Sequence, residues 1–361
     1  MNFLLVIKFL LFSLILAYIF SIFIRKIAIY FKILDIPDKK RKIHQEKIPL
    51  LGGVAIFLSF FIVLFLARDY ILSGNLNPSH WIGFFIGGLI LMIGGFLDDK
   101  YKLSPGKQII FPALASLAVI LGGVGIEKIT NPLGGYLYLD TIKINLGHIG
   151  DTVFYFTVFS DLLIFLWLMG MIYTTKILDG LDGLVSGIIA IGAFIIFLFT
   201  ISEQYYQGDI AIASIILFGA CLGFLILNWH PAKIFLGEGG SVFLGFSLGV
   251  LAIISGGKIA IALLIMGIPI LDVLWSIIRR LIAGKNPFKA GDRKHLHFRL
   301  LDLGLSQKKA VLIYYVIAGI FGLSALFLQS LGKILALGTL VLFMILILIL
   351  FYYLDQKKKN V

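Results

Sequence analysis

About eleven uninterrupted apolar runs divide this chain, each close to the ~20 residues that a helix needs to cross a hydrocarbon core. They cover residues 3–24, 51–67, 81–97, 108–126, 154–174, 184–201, 210–228, 240–256, 258–278, 311–329 and 333–354. Runs of this kind leave little freedom of fold. In lipid, every backbone N–H and C=O must be satisfied within its own segment, so each run reads as a helix. Composition agrees: 60% of residues are hydrophobic and 14% charged, against roughly half and about a quarter in a soluble domain. The expectation is a single all-α polytopic membrane domain over residues 1–361, with about 11 transmembrane helices.

The first run lacks a basic start and a small-residue cleavage site, and Arg25-Lys26 follow it. It therefore reads as a retained span rather than a leader. Cys221 is the single cysteine and sits inside an apolar run, so no disulfide framework is expected. The 39 glycines suit close helix packing.

The net charge of +12 is unevenly placed. With the loop after the first helix taken as cytoplasmic, 25 Lys and Arg fall on that side and five (Arg68, Lys128, Lys143, Lys258, Lys333) on the other. This bias predicts the N-terminus outside and the C-terminus in the cytoplasm. Basic loops that orient a membrane protein and meet anionic headgroups account for the charge, and nucleic acid is not needed as a partner. Three loops exceed a turn: 25–50 and 279–310 on the cytoplasmic side, and 127–153 outside. The outer loop alternates around Tyr136-Leu-Tyr-Leu-Asp-Thr-Ile-Lys-Ile, which predicts a small extracytoplasmic hairpin near 134–147. No internal repeat is visible, which speaks against an inverted-repeat transporter.

Four polar clusters share the cytoplasmic side. Asp98-Asp99 close the third run, and adjacent like charges invite a cation or a shared proton. Lys107 and Gln108 follow, a lysine being a good point charge for phosphate. In LDGLDGLVSG, Asp179 and Asp182 are three apart and share a face if the segment is helical. Glu238, in LGEGGS, stands in a glycine-rich turn before the next helix, where free N–H groups make an anion cradle. GDRKHLHFRL supplies Arg293, His295, His297 and Arg299; the spacing is poor for zinc and better suited to phosphate. Each cluster has a plainer reading as a solvated helix end or basic loop. Their shared membrane face favours a polar ligand. Asp272 lies seven residues from Arg279-Arg280, roughly 10 Å deep if the helix is straight, as a functional acid or a packing partner.

Together these stretches resemble the polyprenyl-phosphate N-acetylhexosamine-1-phosphate transferases, in order, over residues 35–305. RKIHQEKIPLLGGVAI (Lys42, His44, Pro49, Gly52, Gly53), FLDD with LSP and Lys107, LDGLDGL, NWHPAKIFLGEGGS and DRKHLHFRLLDLGLS carry the likeness. The resemblance implies transfer of a sugar 1-phosphate from a UDP-sugar to a polyprenyl (undecaprenyl) phosphate, releasing UMP, with Mg²⁺ (or Mn²⁺ in its place). It implies a plasma-membrane enzyme with a cytoplasmic site, a lipid groove between helices and a possible homodimer. By the same likeness, Asp98 and Asp99 are catalytic and position or deprotonate the lipid phosphate. Glu238, with Asp99, holds the metal. Lys42, His44, Lys107, Lys176, Asp179, Asp182, Arg293, His295 and His297 bind substrates, Asp179 and Asp182 on the nucleotide side. This chain departs from the pattern at four places. Tyr173 and Lys176 stand where the family has two Asn, Glu238 where it has Asp, and Phe298 where it has another His. Lys176 either pairs with a phosphate or weakens metal binding by like charge.

Two rival readings fit less well. A multi-pass lipid or solute transporter without transferase activity predicts ionisable residues near the bilayer midplane, whereas here they gather at one face. CDP-alcohol phosphotransferases need an Ala-Arg after the first Asp-Gly, and Val185-Ser186-Gly187 breaks that pattern.

Overall fold

The computed structural model describes residues 2–37, 46–74, 76–131, 134–149, 152–256, 258–284 and 294–359. Its helices are α1 (Phe3–Tyr30), α2 (Gly52–Leu66), α3 (Arg68–Ile71), α4 (Pro78–Tyr101), α5 (Pro105–Gln108), α6 (Ile110–Leu121), α7 (Val158–Leu178) and α8 (Leu184–Thr200). They continue with α9 (Gly208–Asn228), α10 (Gly237–Ile254), α11 (Ile259–Ile265), α12 (Gly267–Ile282), α13 (Leu296–Asp302), α14 (Gln307–Phe327) and α15 (Ser330–Lys359). Every apolar run of the sequence falls on a helix, although the run that starts at 154 enters as a strand and turns helical at Val158.

The chain is a mostly helical polytopic membrane protein. Among the described residues seven helices, α1, α4, α7, α9, α10, α14 and α15, are long and apolar enough to cross a membrane. Helices α2, α8 and the α5–α6 segment are apolar but shorter, and α11 and α12 meet at a 77° bend. The bend falls at Met266, where Gly267 and Pro269 open α12; glycine weakens the helix and proline removes a donor just past the break. Asp272 and Arg279-Arg280 all lie in α12, beyond the break, so the seven-residue spacing between them stays helical. The segment between α6 and α7 holds two antiparallel hairpins rather than one. Strands β3 (Lys128–Thr130) and β4 (Tyr136–Tyr138) form the first, β5 (Lys143–Ile149) and β6 (Thr152–Thr157) the second. A further short pair, β1 (Leu34–Asp35) and β2 (Ile48–Pro49), follows α1.

Burial sorts the helices into a centre and a rim. In α10, 89% of the most apolar stretch is buried, against 22% in α1 and 17% in α15. An apolar helix left this exposed needs lipid rather than water beside it. Helix α10 occupies the centre, packed on α2, α4, α7 and α8. Its sequence explains the position, because the side facing its neighbours is mostly glycine and serine at one end. A Cβ on Gly53 would lie 2.1 Å from Gly240 Cα, and one on Gly95 2.0 Å from Gly239 Cα. Thus α2 and α4 touch the start of α10 backbone to backbone. The N–H groups of Gly52 and Gly53, orphaned at the start of α2, donate to the carbonyls of Phe235 and Leu236 at 2.9 and 2.8 Å. Deeper in the bundle the same three helices interlock through aromatic rings. Phe57 meets Phe243 edge-on at 5.3 Å, and Phe84 meets Phe60 and Phe246, each at 5.6 Å.

Backbone contact of this kind admits no added atom. Gly95→Ala is expected to destabilise the detergent-solubilised protein by about 1–3 kcal/mol, despite alanine's better helix propensity. Gly170→Ala on α7, where a Cβ meets nothing within 4 Å, is expected to be neutral or mildly stabilising. Comparing the two thermal midpoints checks the close approach, and equal midpoints would refute it.

Candidate active site

The glycine contacts bring the C-terminal end of α4 to the N-terminal end of α10, and Gly245, where a Cβ would lie 2.2 Å from Thr175 Oγ1, lets α7 come in beside them. Asp98 and Asp99 occupy the last turn of α4, Lys176 the last turn of α7, and Glu238 the first turn of α10. Asp99 does not face open solution. Its two oxygens accept from the Glu238 N–H at 3.1 and 3.2 Å, so it caps α10, where a negative charge also suits the helix dipole. The anion cradle read from LGEGGS is therefore filled by the protein's own carboxylate. Gly237 completes the approach with φ +73, and a Cβ there would fall 2.6 Å from Asp99 Oδ2.

Asp98 is buried and fully engaged. Its Oδ1 accepts from the Leu103 N–H at 2.8 Å and from Gln108 Nε2 at 3.1 Å, while its Oδ2 faces Lys176 Nζ at 3.5 Å. The same ammonium lies 2.9 Å from Glu238 Oε2 and donates to Gln108 Oε1 at 3.1 Å. Beside this knot is a cavity of about 20 Å³, room for about one water. Asp98, Gln108, Tyr173, Lys176 and Glu238 form its polar wall, and Leu91, Phe111, Pro112 and Val242 an apolar one.

The DGLDG segment is a turn between α7 and α8 rather than helix, so its two acids diverge instead of sharing a face. Asp179 is the C-cap of α7 and is exposed. Asp182 turns inward, its Oδ2 bonded to His230 Nδ1 at 2.7 Å and accepting from the Ala232 N–H at 3.1 Å. Asn228 fastens the other side. Its Oδ1 accepts from the Gly183 N–H and the Ser186 hydroxyl, and its Nδ2 donates to the Ile234 carbonyl. The histidine segment closes over the turn. His295 Nδ1 pairs with Asp272 Oδ2 at 3.0 Å, and Asp272 Oδ1 accepts from the Leu296 N–H at 3.1 Å. His297 stacks on His295 with centroids 5.8 Å apart and lies against Gly180, where a Cβ would fall 2.5 Å from its Nε2. Neither nitrogen of His297 finds a hydrogen bond, and burial pushes its imidazole down to about 4.

The structure thus unites Asp98, Asp99, Lys176 and Glu238, and joins them through α7 and Gly180 to Asp179, Asp182, His295 and His297. Lys107 is exposed on α5, one residue before Gln108. Lys42, His44 and Arg293 lie outside the described residues. Sequence reasoning missed Asn228 and His230 as the posts that hold the DGLDG turn. In NWHPAKIF the Asn and the His carry the available signal. Asp272, left open as a packing partner, positions His295.

A Mg²⁺ ion held by Glu238 and Asp99 does not fit this donor set. Magnesium requires oxygens at about 2.0–2.1 Å in near-octahedral order. Here the two Asp99 oxygens share one N–H of α10, and the Lys176 ammonium lies 2.9 Å from Glu238 Oε2, a like charge for any cation at that carboxylate. Among the described residues no three His, Cys, Asp or Glu side chains are grouped to hold a metal ion.

The sequence profile described as glycosyl transferase family 4 matches residues 81–256. The chain is 33% identical over 348 residues to a probable undecaprenyl-phosphate N-acetylglucosaminyl 1-phosphate transferase of Bacillus subtilis, covering 94% of this chain and 88% of that one. It is 30% identical to a decaprenyl-phosphate N-acetylglucosaminephosphotransferase of Mycolicibacterium smegmatis, over 86% of this chain and 79% of that one. It is 32% identical to a phospho-N-acetylmuramoyl-pentapeptide-transferase of Listeria monocytogenes, over 80% and 86%.

His297 gives the site an acid limit. Its folded value near 4 lies below the ~6.5 of a free imidazole, so between those values the unfolded chain binds a proton that the folded chain does not. Its contribution is therefore whole above about pH 6.5 and lost as pH falls through about 4, up to about 3 kcal/mol. His297→Phe is expected to flatten the fall in thermal midpoint between pH 6.5 and 4. An unchanged slope would place the imidazole in water.

Proposed function

The chain belongs to glycosyl transferase family 4, the polyprenyl-phosphate N-acetylhexosamine-1-phosphate transferases, and on that premise we propose that it moves an N-acetylhexosamine 1-phosphate from a UDP-sugar to a polyprenyl phosphate. An oxygen of the lipid phosphate attacks the sugar-bearing phosphorus of the donor. The bond from that phosphorus to the bridging oxygen breaks, and UMP leaves with the oxygen. The products are a polyprenyl diphosphate sugar and UMP. From the lipid phosphate dianion no proton need move; from the monoanion, one passes to a carboxylate at the end of α4.

One observation carries this reading: four clusters scattered over 200 residues of sequence are linked by direct contact at one end of the bundle. Phosphoryl transfer asks mainly for positioning and for neutralising charge; the carboxylates of the knot serve the first, and the Lys176 ammonium is its one positive group among the described residues. The small cavity joins an apolar wall from α4, α6 and α10 to that polar knot, as a lipid with a phosphate head requires. Asp98 and Asp99 meet the lipid phosphate and exposed Asp179 the nucleotide, while the buried His295 and His297 shape the loop on the sugar side. Asp182 acts by holding the loop through His230.

We further place all eleven apolar segments across the plasma membrane, with the bent α11–α12 pair and the shorter helices included. The N-terminus is then outside, and the basic loops put the site on the cytoplasmic face. The lipid acceptor enters between α4, α6 and α7.

The test is UMP release from UDP-N-acetylglucosamine by protein in detergent with undecaprenyl phosphate added. Release that depends on the lipid is expected, and Asp99→Asn, which keeps an oxygen to cap α10, is expected to lower it by about 100-fold or more. No lipid-dependent release across a panel of UDP-N-acetylhexosamines would defeat the proposal.

A further inference from the structure

Lys176 is the only cation in the polar knot among the described residues, and the knot is arranged around it. An ammonium has three donors and no acceptor. Three oxygens face Lys176 Nζ: Glu238 Oε2 at 2.9 Å, Gln108 Oε1 at 3.1 Å and Asp98 Oδ2 at 3.5 Å. They come from three separate helices, α10, α5 and α4, so the convergence is a property of the fold and not of one sequence segment. A metal bound to Glu238 would face Lys176 as a like charge at close range.

Two of the chain's departures from its family's pattern are the two ends of this ion pair. Lys176 stands for an Asn and Glu238 for an Asp. The first adds a positive charge where the pattern has a neutral ligand. The second adds one methylene, which lengthens the carboxylate's reach toward the lysine. Read separately, the two changes look like damage to a metal site. Read together, they exchange a diffusible cation for one carried on the chain.

We propose that the Lys176 ammonium is the resident cation of this site, neutralising the donor's diphosphate between Asp98 and Glu238, so that the protein binds its phosphate-bearing substrates and turns over without a divalent ion. The inference rests on the transferase reading for its turnover arm only. A lysine is suited to the task, being a compact point charge with three rotatable donors that can shift from a carboxylate to a phosphate oxygen. It is already held in place before substrate arrives, with Gln108 fixing the nitrogen on one side while Glu238 balances its charge on the other.

The experiment uses full-length protein in detergent, stripped with EDTA, and reads two quantities. The first is Mn²⁺ binding by electron paramagnetic resonance, with no substrate present. The wild-type chain is expected to take up no stoichiometric Mn²⁺ at submillimolar concentration, and the paired variant Lys176→Asn/Glu238→Asp to gain one saturable site. One saturable site in the wild type, lost in Glu238→Gln, overturns the proposal whether or not the protein turns over. The second is UMP release. In EDTA the wild type is expected to keep at least half the rate it shows with Mg²⁺. Lys176→Asn is expected to fall by about 100-fold in EDTA and to recover in part with Mg²⁺, while Lys176→Arg keeps metal-free turnover. Loss of wild-type activity in EDTA with full return on Mg²⁺ also overturns it. Silence of the wild type under every condition defeats the transferase reading and leaves the Mn²⁺ measurement to decide this one. A thermal midpoint for each variant, with Lys176→Met as a second neutral replacement, separates loss of the cation from loss of the fold.

Discussion

The contact of glycine on glycine at the start of α10 is the constraint on which the rest of the molecule hangs. Gly53 and Gly95 reach Gly240 and Gly239 with no side chain between them, and this sets how near the ends of α2 and α4 come to the central helix. In lipid there is little hydrophobic drive to press helices together, so van der Waals fit between bare backbones has to do that work. Only at such a separation can Asp99 on α4 cap the first turn of α10. Only then does Glu238, one residue into that turn, meet Lys176 of α7. The aromatic cluster below, Phe57, Phe60, Phe84, Phe243 and Phe246, packs between the same three helices.

That geometry creates an electrostatic problem and largely answers it. Asp98, Asp99, Asp179 and Glu238 gather at one end of the bundle, partly withdrawn from water, where unpaired charge is costly. Each resolves it differently. Asp99 takes the helix N–H, Asp98 takes Leu103 and Gln108, and Glu238 takes Lys176. Asp179 stays at the exposed edge. The acids that are tied down shape the site, and the exposed one stands at its mouth. Asp182 and Asp272 follow the first pattern from the outer layer. Each holds a histidine, His230 and His295, and through it a loop.

Much of this was legible in the sequence. The apolar runs read as helices because lipid permits no other backbone, and the four clusters stood out because charge near lipid needs a reason. Their family likeness followed from order and spacing. What was not legible depended on partners distant in the chain. No local pattern says that Asp99 will cap a helix 139 residues later, or that the glycines of LGEGGS serve packing instead of an anion. Periodicity could not reveal the 77° break either, because both halves are apolar and only Gly267 and Pro269 mark it. The loop before α7 reads as one hairpin because alternation centres on 136–144, while the second pairing uses strand residues 152–157, most of which fall in the apolar run that starts at 154. Asn228 and His230 were hidden for a simpler reason: polar residues at the end of a span look like ordinary boundary residues until the turn they brace is seen.

The ion pair between α7 and α10 has a consequence for descent as well as for chemistry. A lysine at 176 opposite an aspartate would leave its ammonium a methylene short of its nearest carboxylate. A glutamate at 238 opposite an asparagine would push an unbalanced charge into a cavity of about 20 Å³. Each half is a burden without the other, so the two positions can change only in concert or through a detour elsewhere in the knot. Lineages carrying this pair are therefore expected to keep it as a unit, and the joint appearance of Lys and Glu is a better marker of common ancestry than either residue alone.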